Sequence, residues 1–229
     1  MSADQSSPSP VADQRIPPLT LGAVLYRGFE LLDLYGPLEM FGAIPGQFTI
    51  HTVADAAQPV ASSQGPRTVA DYAYGECPPL DLILVPGGFG TVEALENEVL
   101  LEFLRERSPD ARCVMSVCSG SAILARAGLL DGRRATSNKQ LFKFATDQSD
   151  RVQWVEQARW VEDGPFVTAS GVSAGTDMAL AVLAALRGED YAQQVADFTE
   201  YQWHRDANVD PFARFLNAVD IDQLMGALS

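Results

Sequence analysis

The run Val114-Met115-Ser116-Val117-Cys118-Ser119-Gly120-Ser121 constrains the fold of this chain more than any other stretch. Ala111 to Val117 reads as a strand. Cys113, Val114, Met115 and Val117 can pack on both of its faces, the pattern of a parallel strand buried on two sides. Cys118 ends the strand, and a helix over Ser119 to Ala127 follows at once, closed by Gly128. A strand that turns straight into a helix sets the central side chain of the turn at the strand's C-terminal end. Open α/β sheets bind ligands there.

The rest of the chain alternates in the same way. Strands are expected at Leu21 to Tyr26, Phe48 to Val53 and Leu80 to Val85, the last closed by Pro86-Gly87-Gly88. Helices are expected at Leu34 to Ala43, Leu100 to Arg107, Lys139 to Thr146, Ser173 to Leu186 and Tyr191 to Trp203. A short strand is expected at Arg134 to Ser137, a possible hairpin between Ala54 and Cys77, and a polar hairpin from Arg151 to Thr168. Strands alternating with helices imply α/β architecture: a mostly parallel sheet, helices on both faces, as in a flavodoxin-like sandwich. Met1 to Pro18, with SSPSP and PP, reads as a disordered leader before a single domain over 19–229.

Three segments converge on the C-terminal rim of such a sheet. Cys118 is either an inert buried thiol or the nucleophile of an elbow in which Gly120 allows close backbone approach. At the helix N-terminus its thiolate would be favoured and its pKa lowered. Cys113 reads as core packing and Cys77, before Pro78-Pro79, as a loop residue. Pro86-Gly87-Gly88-Phe89-Gly90 is either a tight turn or a donor loop, in which Gly88 N–H and Ser119 N–H form an oxyanion-type hole. Asp33, set among apolar residues before Gly36-Pro37, is either a helix cap or a partly buried proton donor and acceptor beside the thiol. Phe89, Val117 and Val172, with Leu34 and Tyr35, would give the pocket an apolar rim, and Asn138 is a further pocket candidate.

Together, LLDLYGP, LILVPGGFG, VCSGSAILARAGLLDGRRAT and SGVSAGTDMAL resemble the ThiJ/PfpI superfamily, from about Leu21 to Pro211. Its fold is similar to the class I glutamine amidotransferase domain. The resemblance implies that Cys118 is the elbow nucleophile, Asp33 its acidic partner, and Gly88 and Ser119 the sources of the hole amides. Within the superfamily the chain looks most like isocyanide hydratases, which pair an aspartate with the cysteine and carry a hydroxyl residue after it, here Ser119. The implied reaction is cofactor-free and metal-free hydration of an isocyanide to an N-substituted formamide, in a homodimer. Many relatives carry a histidine after the strand that follows the elbow helix. Here that segment is Ala135-Thr136-Ser137-Asn138-Lys139, and the chain's two histidines, His51 and His204, lie elsewhere. That weakens a Cys-His hydrolase reading.

Composition narrows the field further. Thirty acidic against sixteen basic residues give a net charge of −14, which repels phosphate backbones and argues against nucleic acid partners. The apolar stretch from Met178 to Leu186 is too short to cross a bilayer. Three cysteines without a CxxC pair, and no secretory signal, give a reduced cytoplasmic location by default. The expected substrate is a small, apolar electrophile. A glyoxalase-type enzyme acting on methylglyoxal is the alternative chemistry, and a cysteine redox sensor or binding protein the alternative class. An AraC-type regulator needs a further helix-turn-helix domain, for which the chain up to Ser229 leaves no room.

Overall fold

The computed structural model describes residues 17–219 and Gly226. Of the expected leader, only Pro17 and Pro18 fall within the described residues, and they carry no regular structure. In chain order the elements are β1 (Leu19–Val24), α1 (Leu31–Gly42), β2 (Phe48–Ala54), β3 (Pro59–Ala61), β4 (Arg67–Val69) and β5 (Tyr72–Ala73). Then come β6 (Leu82–Val85), α2 (Thr91–Ala94), α3 (Glu98–Arg107), β7 (Cys113–Val117), α4 (Gly120–Arg126), β8 (Arg134–Ala135) and α5 (Phe142–Thr146). The chain continues through β9 (Gln153–Trp154), β10 (Trp160–Asp163), β11 (Phe166–Ala169), α6 (Ala174–Arg187) and α7 (Glu189–Phe198).

Seven strands form one sheet in the order β10-β11-β7-β6-β1-β2-β5. Every pairing in it is parallel except β10 with β11. β6, β7 and β11 are buried at every residue, because helices cover both faces of the sheet there. On one side α1, α6 and α7 pack on each other; on the other lie α2, α3, α4 and α5. β1, β6 and β7 are neighbours, so the segments that leave their C-terminal ends meet in space. These carry Asp33, Gly87 and Cys118.

The sheet and most helices fall where the sequence places them, and the departures have local causes. α7 stops at Phe198, not at Trp203. Glu200 adopts a left-handed backbone with φ 51°, its N–H bonds to Asp197 O, and Tyr201 N–H reaches back to Ala196 O at 2.8 Å. That is a Schellman stop built without glycine. The expected helix from Lys139 starts only at Phe142, because Lys139 is buried in a polar cluster below the loop. The expected polar hairpin is divided: β9 pairs with β8 in a small separate sheet, while β10 and β11 join the main one. β11 is fully buried beside β7, so it is a core strand. The hairpin between Ala54 and Cys77 is β3–β4, with the short edge strand β5 after it.

Candidate active site

β7 delivers Cys118 into a backbone conformation with φ 57°. For a residue with a Cβ this left-handed region costs about 1–2 kcal/mol, so the surrounding structure must hold it. It does so through the backbone. Cys118 N–H donates to Ala169 O at 3.2 Å. Its carbonyl accepts the hydroxyls of Ser121 and Ser137, both at 3.1 Å. Gly120 is required here, since a Cβ on it would fall 2.3 Å from Val85 O. This is a strand-to-helix elbow with Cys118 at its tip, and only 6% of Cys118 remains exposed.

Asp33 lies in the first turn of α1 and is fully buried. One carboxyl oxygen, Oδ2, accepts Gly87 N–H at 2.8 Å. The other, Oδ1, is buried and meets no partner at hydrogen-bond geometry. The Cys118 side chain also interacts with the carboxyl. Gly87 must be glycine: a Cβ there would sit 2.6 Å from Ser119 N and 2.9 Å from Asp33 Oδ2, inside the site.

The electrostatics of the pair follow from burial. Asp33 is pushed well above the usual carboxylate range by desolvation and further by Glu30, with the Gly87 N–H and Cys118 pulling back. The Cys118 thiol is likewise pushed well above its ordinary value, first by burial and then by Asp33. This corrects the sequence expectation of a lowered thiol pKa, because desolvation outweighs the helix terminus. Two opposing donors, the Asn138 amide and Ser119 N–H, favour the anion. Two acids that share one dry site do not ionise together, so the pair titrates as a unit. A proton on Asp33 Oδ1 would satisfy the orphaned atom and allow the sulfur to carry the charge.

Ser119 contributes differently from expectation. Its hydroxyl accepts Gly88 N–H at 3.1 Å and bonds Thr91 Oγ1 at 2.8 Å. The Gly88 amide is thus occupied and is not free to act in an oxyanion hole. The chain of hydroxyls continues from Thr91 to Tyr26 Oη at 3.1 Å, and Tyr26 donates to Pro86 O at 2.8 Å. Tyr26 and Thr91 were not singled out in the sequence. They tie the Gly87-Gly88 turn to the elbow, and Ser119 N–H is the part of that residue that faces sulfur.

Asn138 Nδ2 stands 3.1 Å from Cys118 Sγ, which brings that candidate into the site. Gly171, next to Val172, borders the Asn138 amide, and Val172 is half-buried against the core. Phe89 is exposed on the outer side of its turn, with its N–H bonded to Ser63 Oγ at 3.2 Å. Leu34 and Val117 are fully buried core residues, so they give no apolar rim. Tyr35 is exposed, its hydroxyl bonded to Thr68 Oγ1 at 2.7 Å. His51, in β2, packs edge-on against Tyr72 of β5. The backbone N–H of His204 bonds to Asp177. Cys113 and Cys77 are buried free thiols, and burial raises both pKa values, that of Cys113 to about 12.

The fold and the site define a class: an α/β domain with a buried cysteine at a strand-to-helix elbow and a carboxyl beside it. The sequence profile of the DJ-1/PfpI family matches residues 23–185, and the chain belongs to that family. It is 37% identical over 188 residues to an isonitrile hydratase of Pseudomonas putida, covering 80% of this chain and 78% of that protein. It is 27% identical to the HTH-type transcriptional regulator GbdR of Pseudomonas aeruginosa, covering 84% of this chain but 53% of the regulator. Among solved structures, a ThiJ/PfpI family protein from Pseudomonas syringae superposes with a TM-score of 0.76 at 31% identity. That match covers 98% of this chain and 91% of the other.

Proposed function

We propose that the protein hydrates a small isocyanide to an N-substituted formamide, with Cys118 as nucleophile and Asp33 as the group that moves protons. The observation that carries this reading is the buried Cys118–Asp33 pair. The 37% identity to an isonitrile hydratase supports it. The reaction starts from a thiolate and a protonated Asp33. Sulfur attacks the terminal isocyanide carbon and Asp33 protonates that carbon, leaving a thioimidate and a carboxylate. The carboxylate takes a proton from water as the hydroxide adds to carbon, then returns it to the substrate nitrogen. Finally Asp33 takes the hydroxyl proton as the C–S bond breaks. Formamide leaves, and the thiolate and protonated Asp33 are restored. Every proton passes through one carboxyl, which a pair with a single shared proton can support.

A recessed thiol favours a slim, neutral electrophile. Purified protein should convert an aryl isocyanide to the formamide, followed by mass spectrometry, and Cys118→Ala should not. Wild-type protein that consumes methylglyoxal but not the isocyanide would shift the assignment to a glyoxalase-type enzyme. If neither substrate turns over, and peroxide takes Cys118 cleanly to a sulfinic acid, a redox sensor is the better reading.

A homodimer would form through the exposed apolar Leu32, Tyr35, Val69 and Phe89. None of the helices in the described residues is long and apolar enough to cross a membrane. A cytoplasmic location fits the three free thiols and would be checked by cell fractionation.

A further inference from the structure

Asn138 makes two hydrogen bonds that fix the direction of its side-chain amide. Oδ1 accepts the Leu141 N–H at 3.1 Å, and Nδ2 points at Cys118 Sγ at 3.1 Å. Flipping the amide would aim its NH₂ at a backbone donor and its carbonyl oxygen at sulfur, losing both bonds. The group that faces the sulfur is therefore an N–H donor that can neither take nor give up a proton in turnover.

The loop that carries Asn138 is held from below by a buried cation. Lys139 is 2% exposed. Its Nζ donates to Thr136 Oγ1 at 2.6 Å and Ala158 O at 2.8 Å, and lies 3.8 Å from Asp210 Oδ2. Ser170 Oγ donates to the same Asp210 oxygen. Asn217 N–H closes on Lys139 O at 2.8 Å. A lysine is rarely buried to this degree without a defined partner, and removing one member of such a pair leaves the other charge uncompensated. The segment after α7 thus reaches back, through Asp210 and Asn217, to the residue adjoining Asn138.

We propose that Asn138 is a catalytic residue that fixes the Cys118 sulfur and stabilises it as an anion. Lys139, held by Asp210 and Ser170, is the positioning residue behind it. The inference rests on the proposed function only in taking Cys118 as the nucleophile. It is read on the thiol itself, so a failure to turn over isocyanide leaves it testable. The ionisable groups facing the sulfur are Asp33 and Glu30, on and just before α1, and Tyr26 beyond β1. Asp33 and Glu30 oppose the anion, burial keeps the Tyr26 phenol protonated, and the donors that favour the anion are Asn138 and Ser119 N–H.

The test is the rate of Cys118 alkylation by iodoacetamide against pH in the full chain, with the site read by peptide mapping. Asn138→Asp keeps an oxygen for the Leu141 N–H and puts a carboxylate oxygen where the donor stood. It should raise the pH midpoint by about one unit or more, a tenfold fall in rate near neutral pH. Asn138→Ala should move it the same way, and carries the test if the aspartate variant does not fold by circular dichroism. An unmoved or lowered midpoint in the folded variant overturns the role of Asn138. Lys139→Met, or Ser170→Ala if the former does not fold, should give a smaller rise of the same sign. A midpoint equal to that of wild type would overturn the positioning role.

Discussion

Asp33 shows the cost of chemistry at a single residue. Its pKa is raised by burial, so the folded chain holds a proton at pH values where the unfolded chain has lost it. The sign follows: the stabilising contribution of the neutral carboxyl is complete below the unfolded value near 4 and is lost as pH rises through the raised folded value. Asp33→Asn removes that loss, and an amide can still accept the Gly87 N–H. The variant should therefore unfold a few degrees higher than wild type at pH 7.5, with the gap narrowing as pH falls towards 4. It should also lose about 10²-fold or more in turnover, because an amide moves no proton. Thermal unfolding and turnover on the same preparations check this; a lower Tm at pH 7.5 would contradict it.

At the scale of elements, the structure separates what local sequence encodes from what it does not. β1, β6 and β7 are legible because near-complete burial demands apolar runs, and the elbow is legible because Gly120 leaves no room for a side chain against Val85 O. The end of α7 is not, since Glu200 occupies the left-handed position usually marked by glycine. Lys139 reads locally as a helix start, and it becomes a core residue through its bonds to Thr136 and Ala158 and its pairing with Asp210, 71 residues away. The occupied Gly88 amide depends on which way the Ser119 hydroxyl turns, which spacing does not encode.

α6 gives another case, with its own prediction. Asp177 is an acidic residue within an apolar helix, and it gathers Arg159, Tyr201 and the backbone of His204. The Arg159 guanidinium lies 2.5 Å from the Asp177 carboxyl, and both are buried. Asp177→Ala should destabilise the protein by about 3–5 kcal/mol, as it leaves an uncompensated cation inside. Adding Arg159→Met should recover much of that loss. Chemical denaturation of the single and double variants measures both; a double variant as unstable as the single would show that the charge is not the cause.

For the whole molecule, α1 and the β3–β4 hairpin form one outer face beside the site. The Tyr35–Thr68 hydroxyl bond ties helix to hairpin, and Ser63 ties the hairpin loop to the Phe89 turn. Leu32, Tyr35, Val69 and Phe89 are all more than 40% exposed, and they are the surface through which the proposed homodimer would associate. Light scattering at micromolar concentration should give twice the mass of the chain, and Val69→Asp should return it to a monomer. A wild-type monomer under these conditions would refute the dimer.

The placing of the site on β1, β6 and β7 has a consequence for local opening. These strands lie inside the sheet, with neighbours on both sides, while β5 and β10 lie at its rims. Interior strands exchange their amide hydrogens mainly when the whole domain opens, whereas rims and surface loops fray at much lower free energy. The Gly87 and Cys118 amides, bonded to Asp33 and Ala169, follow directly on β6 and β7. The Cys118 amide, and the Gly87 amide that holds the Asp33 carboxyl, are therefore expected among the last parts of the protein to let water in while the edges breathe.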